Sequence, residues 1–299
     1  MTQDTWLSQG ERGTLFVIRM TYHIATLMGR PLMRIIVSFV ALWYRLFDRR
    51  ASAASRAWLR RVHGSEPSFW AIYRHLRTFA QVTLDRMFLL TGRTKCFQFS
   101  KTGHDHLSQQ LATGQGAVLI GAHLGSYEAM RAGGVTDGVP IQILGYFKNA
   151  RQINALLTSL NPEQAANVIH LGDDAISALI KAKASIEKGH LVAILCDRVG
   201  LNEKVVKARF FGEEAEFPTG PFLMASMLKC PVYMVFGLYS EPNRYDLYCE
   251  PLADNLSIPR KDREKHLQEH VQRFATRLEE YCRKAPNNWF NFYDFWSKH

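Results

Sequence analysis

Apolar residues recur at Phe69, Ile72, Tyr73, Leu76, Phe79, Ala80, Leu84, Met87 and Phe88, the 3.6-residue spacing that predicts a helix with one buried stripe over 69–91. Residues 14–47 and 51–62 also read as helical. They are interrupted at Gly29-Arg30-Pro31, where a proline suits the first turn of a new helix. The pattern changes after residue 92. Residues 96–99 read as a short strand, and the unbroken apolar runs 117–120 and 191–196 as buried strands bounded by turn formers. Further strands are expected over 141–147, 168–171 and 232–238, with 245–249 as an antiparallel partner. Helices are expected over 126–131, 153–160, 174–188, 220–228 and about 261–284, the last with Leu267, Val271, Phe274 and Leu278 on one face.

Strands alternating with helices imply an α/β fold with a mixed, mostly parallel central sheet covered by helices. An all-helical N-terminal segment precedes it. The change of character falls near 92–103 and divides the chain into a helical segment, 1–95, and an α/β domain, 96–299.

Charge sharpens the reading of the first segment. The chain has a net charge of +10, and residues 1–61 hold ten arginines against three acids, so +7 of the +10 lies there. Those arginines are interleaved with large apolar side chains. A helix of that kind suits a membrane interface, with apolar area in the acyl boundary and guanidinium groups on lipid phosphates. A nucleic-acid partner is not expected, because the net charge is concentrated in these apolar helices rather than on the α/β part. The best spanning window, 31–47, has an uncharged core of only ten residues, 35–44. A span needs roughly 20, so a peripheral or monotopic attachment is expected, and the start of the chain lacks the pattern of a cleavable signal. Five cysteines, none in a CxxC pair, argue against a disulfide framework or zinc ribbon and fit a reducing compartment.

The chemical candidates are few. The chain has no Walker loop and no G-x-S-x-G elbow, and Gly114-Gln115-Gly116 precedes a strand where a dinucleotide fingerprint would follow one. His104-Asp105-His106 reads as a polar loop rather than a metal site, and no metal or organic cofactor is expected. What stands out is Ile120-Gly121-Ala122-His123-Leu124-Gly125-Ser126-Tyr127-Glu128, an H-x4-E pattern. His123 sits just past the carboxyl end of a buried strand, where open α/β sheets place their ligands. Gly125-Ser126 supports a tight turn and a helix cap, and Glu128 falls in the first helical turn. From there its carboxylate is expected to reach back to the imidazole. A neutral histidine fixed by a carboxylate is suited to take a proton from a hydroxyl or amine nucleophile. The Gly125 amide is a candidate oxyanion donor.

The segment 116–128 resembles the first block of the lysophospholipid acyltransferase superfamily, specifically its branch of bacterial late lipid A acyltransferases, the lauroyl and myristoyl transferases. Tyr146-Phe147-Lys148-Asn149-Ala150-Arg151 is similar to the second block. Leu195-Cys196-Asp197-Arg198 falls where that family has a strand followed by an acid. Phe210-Phe211-Gly212, Phe217-Pro218-Thr219-Gly220, Ala225 and Pro231-Val232 are similar to the later blocks. The resemblance covers most of the chain. It implies an acyltransferase in which His123 and Glu128 are catalytic, Lys148 and Arg151 bind a phosphate of the acceptor or of the donor's pantetheine arm, and Asp197 and Arg198 lie at the site. It implies acyl carrier protein as donor, or acyl-CoA with a lysophospholipid, a lipid hydroxyl or amine as acceptor, and a place on the cytoplasmic face of the bacterial inner membrane. A non-catalytic lipid-binding protein on the same fold is the alternative that intact His123 and Glu128 speak against. The turn 197–200 is shorter than the Asp-rich turn of lipid A enzymes, which leaves other lipids, such as ornithine lipids, among the acceptors. The aromatic cluster at 289–296 is expected to dock as core.

Overall fold

The computed structural model describes residues 15–133, 139–145, 167–171, 175–200 and 203–296, with side chains from Met20 onward in the first helix except at 21 and 22. Three helices come first: α1 (Leu15–Phe47), α2 (Arg49–His63) and α3 (Phe69–Leu90). The expected break in α1 is a kink at Gly29, whose φ of 73° only a residue without a Cβ adopts cheaply. Asp48 caps α2 by accepting from the Ala51 amide at 3.0 Å, and Ser68 caps α3 by accepting from Ala71 at 3.2 Å. Ala25, Met33 and Ala41 of α1 are buried, while Leu27, Ile35, Phe39, Trp43 and Phe47 of its outer face are exposed.

The α/β part follows as β1 (Gln98–Thr102), α4 (His104–Ala112), β2 (Val118–Gly121), α5 (Tyr127–Gly133), β3 (Ile141–Gly145), β4 (Val168–His170), α6 (Ala175–Glu187), β5 (Leu191–Leu195), β6 (Val205–Phe210), β7 (Glu213–Pro218), α7 (Gly220–Leu228), β8 (Val232–Ser240), β9 (Arg244–Ala253) and α8 (Arg263–Lys284). Seven strands form one sheet in the order β1-β9-β8-β2-β5-β3-β4. The run from β8 to β4 is parallel throughout. β9 is antiparallel to β8, and β1 is parallel to β9, so the sheet is mixed and mostly parallel. β2, at its centre, is buried at every residue, as its unbroken apolar run requires.

Two elements differ from the expected pattern. Residues 104–106 open the helix α4 instead of forming a loop. That helix buries little apart from Leu107, so its sequence shows no apolar stripe. β6 and β7 form a separate antiparallel hairpin, turned by Phe211 and Gly212 at φ 53° and 81°. The expected helix at 153–160 lies outside the described residues. The core is continuous from the helices to the sheet: Trp58, Leu59, Ile72 and Leu76 pack in one cluster with β2, β5, β8, α8 and the C-terminal aromatics.

A buried ion pair fixes α1 to this body. Arg30, next to the kink, donates to both carboxylate oxygens of Asp85 on α3 at 2.7 and 2.8 Å and to the Pro242 carbonyl at 2.8 Å. Tyr245 adds a hydroxyl to Asp85 at 2.9 Å. A fully buried carboxylate needs partners of this kind to remain charged. The helix 23–47 is nonetheless long and apolar enough, by length and composition, to cross a membrane, and this differs from the shorter window read in the sequence; only 22% of its apolar window is buried.

Candidate active site

The register of the parallel sheet brings two distant residues face to face. β2 and β5 are neighbours with Gly121 opposite Leu195, and two further residues along each chain bring His123 opposite Asp197. His123 Nδ1 lies 2.7 Å from Asp197 Oδ1, and the His123 amide donates to Asp197 Oδ2 at 3.0 Å. An ionised carboxylate only accepts, so Nδ1 carries the ring proton and Nε2 keeps its lone pair. Among the described residues Nε2 has no hydrogen-bond partner, and the His123 side chain is 28% exposed while that of Asp197 is fully buried.

A C-terminal strap holds the carboxylate in place. Trp289 Nε1 and Asn291 Nδ2 donate to Asp197 Oδ2 at 3.2 and 2.9 Å. The Phe290 amide donates to the His123 carbonyl at 2.8 Å, and Leu124 bridges Trp289 as an antiparallel pair. Arg198 donates to the Asn291 side chain at 2.8 Å and to the Phe290 carbonyl at 3.0 Å, tying the residue after Asp197 to the same strap. Behind it, His75 on α3 lies 2.9 Å from the Trp289 carbonyl through Nε2 and 2.9 Å from Ser55 Oγ through Nδ1. Nε2 must be the donor to a carbonyl, and in the neutral ring that burial enforces, Ser55 therefore donates to Nδ1.

The electrostatics follow from this packing. Burial alone would raise the Asp197 carboxyl, but His123, Arg198 and Asn291 outweigh it and hold it at about 2. Burial, reinforced by the Arg198 guanidinium, keeps the His123 imidazole below its ordinary 6.5 against the upward pull of Asp197. Burial likewise takes His75 down to about 4. The result is a neutral imidazole, oriented by a buried anion, with one ring nitrogen able to accept a proton near neutral pH.

The family model described as bacterial lipid A biosynthesis acyltransferase matches residues 3–298, nearly the whole chain. The chain belongs to this family. It is an acyltransferase, from a bacterial family that is membrane-associated in general. A search of the curated proteins finds no match.

In this chain the local pairing expected within the H-x4-E pattern does not form. Glu128 opens α5, but its carboxylate pairs with Arg86 of α3 at 2.5 Å and makes no hydrogen bond to His123. The reason is the turn between them. Gly125 has φ +73° and lies so close to β8 that a Cβ would meet the Gly237 carbonyl at 1.9 Å. Ser126 then caps α5 by accepting from Ala129 at 3.1 Å. His123 faces β5, and Glu128 faces α3. The Gly125 amide, expected as an oxyanion donor, donates to the Asn288 carbonyl at 2.8 Å. Asp197 and Arg198 are at the site. Lys148 and Arg151 lie outside the described residues. Trp289 and Asn291 were legible only as part of an aromatic cluster, since nothing in the sequence marks a polar contact 92 or 94 residues away.

Proposed function

We propose that this acyltransferase moves a fatty acyl group from a carrier thioester to a hydroxyl or amine of a lipid, with His123 as general base and Asp197 as the residue that orients it. The observation that carries the reading is the 2.7 Å contact between His123 Nδ1 and a buried, ionised Asp197, with Nε2 left open. The acceptor hydroxyl gives its proton to Nε2 as its oxygen attacks the thioester carbonyl. The new C–O bond forms, the C–S bond breaks, and the departing thiolate takes the proton back from the imidazolium. Asp197 stabilises that imidazolium without taking the proton, as its depressed pKa implies. Glu128, held by Arg86, takes no part in orienting the ring in this mechanism; Lys148 and Arg151 are proposed to bind phosphate.

The preferred donor is acyl carrier protein, whose acidic surface suits a chain of net charge +10. The enzyme is proposed to work at the cytoplasmic face of the inner membrane, with the exposed face of α1 in the interface. The test gives purified enzyme labelled acyl carrier protein and acyl-CoA in parallel, with a panel of hydroxyl and amine lipids. Transfer from the carrier protein supports the reading. Transfer from acyl-CoA alone, onto lysophospholipids, replaces the donor and acceptor named here.

A further inference from the structure

On α2, Arg49, Arg56 and Arg60 recur on the face opposite the buried Ser55, Trp58 and Leu59. Ser52, Ala53 and Ala57 lie between them, and these small side chains leave a groove of about 350 Å³. Arg45 and Leu46, at the end of α1, form its other wall. Four guanidinium groups therefore converge on one groove. One carboxylate, Glu66, pairs with two of them, Arg56 at 3.5 Å and Arg60 more closely at 2.5 Å. Among the described residues Arg45 and Arg49 have no carboxylate partner. The Arg45 guanidinium lies over the Phe69 ring at 4.3 Å, and its Nε is buried without a hydrogen-bond acceptor. Like charges gathered in this way repel one another unless an anion joins them.

The groove opens at the end of an apolar stripe. Phe39, Trp43, Leu46 and Phe47 on α1 and Trp70 on α3 are each 56–69% exposed. Apolar area of this size beside unpaired arginines matches one kind of surface, a leaflet with acyl chains below and phosphates at the rim.

We propose that the Arg45–Arg49–Arg56–Arg60 groove binds the phosphate of an anionic phospholipid headgroup, in the same leaflet that takes up the exposed face of α1. The proposal rests on the membrane-surface reading above and is independent of the acyl-transfer chemistry. Arginine suits the role because its planar donors match phosphate oxygens in pairs.

The test is vesicle sedimentation with full-length protein, which needs no acyl donor and so fails or succeeds apart from the transfer reaction. Phosphatidylcholine vesicles are compared with vesicles containing phosphatidylglycerol. Three proteins are used: wild type, Arg49→Gln/Arg56→Gln, and a control of equal net charge, Lys183→Gln/Lys188→Gln, exposed on α6 and in the turn just after it. All positions are solvent-facing, and circular dichroism checks the fold. Wild type should prefer the anionic vesicles, and the arginine pair should weaken that binding roughly 10- to 30-fold, with the lysine pair changing it far less. Equal losses in the two variants would reduce the effect to net charge and overturn the site. Equal wild-type binding to both vesicle types would overturn it as well. Release of the protein by inorganic phosphate at a concentration equal to that of lipid phosphate would assign the groove to a free anion and overturn the lipid headgroup.

Discussion

His123 Nδ1 and Asp197 Oδ1 stand 2.7 Å apart at the ends of two strands that touch in space but are separated in the chain by α5, β3, β4 and α6. Asp197→Asn keeps the size of the side chain and removes its charge. The amide can present its NH₂ to Nδ1 and so favour the wrong tautomer, with the lone pair turned away from substrate. A loss in kcat on the order of 10³-fold is expected, with the thermal transition measured alongside to show that the strap still closes.

The pH profile separates the two carboxylates. The reactive imidazole must be neutral, so activity falls as pH drops through its pKa. Because His123 is held below 6.5, the plateau should extend to pH values below 6.5. Arg198→Gln removes a cation that disfavours the imidazolium, so the acid limb should move to higher pH. Glu128→Gln, whose parent side chain lies on Arg86, should leave the limb where it is. A limb that moves with Glu128 and not with Arg198 would reverse the assignment.

Much of this arrangement was legible in the sequence and some was not, for a physical reason. A buried parallel strand announces itself by an unbroken apolar run, so β2, β5 and the placement of His123 at a strand end could be read directly. The partner of His123 could not. Glu128 is near in sequence, but a turn forced by Gly125 against Gly237 sends it to the other side. Asp197 becomes the partner only when β2 and β5 pair in register, and local patterning carries no record of which strands pair. Asn288 shows the same limit. Its side chain bonds the backbone of Tyr239 in both directions, at 2.6 and 3.1 Å, and anchors the strap. In the sequence it is a polar residue two positions after a proline. α4 and the β6–β7 hairpin are not legible because a short helix with one buried residue, and a hairpin outside the main sheet, leave little periodicity.

The Arg30–Asp85 pair gives a prediction about stability. Both oxygens of the buried carboxylate are bonded to Arg30, so Arg30→Ala leaves a charge without its main partner. The expected cost is about 3–5 kcal/mol, seen as a Tm lower by roughly 10 °C. A change within a degree would show that α1 contributes little to the fold.

Acid stability should follow His75. Its pKa is about 4 in the folded protein against an ordinary 6.5, so the unfolded chain takes up a proton that the native state refuses between these values. Stability is therefore full above about 6.5 and declines as pH falls to 4, by about 3 kcal/mol from this residue. Urea midpoints across that range should fall for wild type. In a folded His75→Gln variant the slope should be shallower.

The central claim is that His123 carries the reaction. The most direct measurement is acyl transfer by wild type and by His123→Ala under the same donor and lipid, with both proteins shown to be folded and to bind vesicles alike. A fall in kcat of roughly 10²- to 10⁴-fold in the variant is the predicted result. Transfer at an undiminished rate by folded His123→Ala would contradict the account.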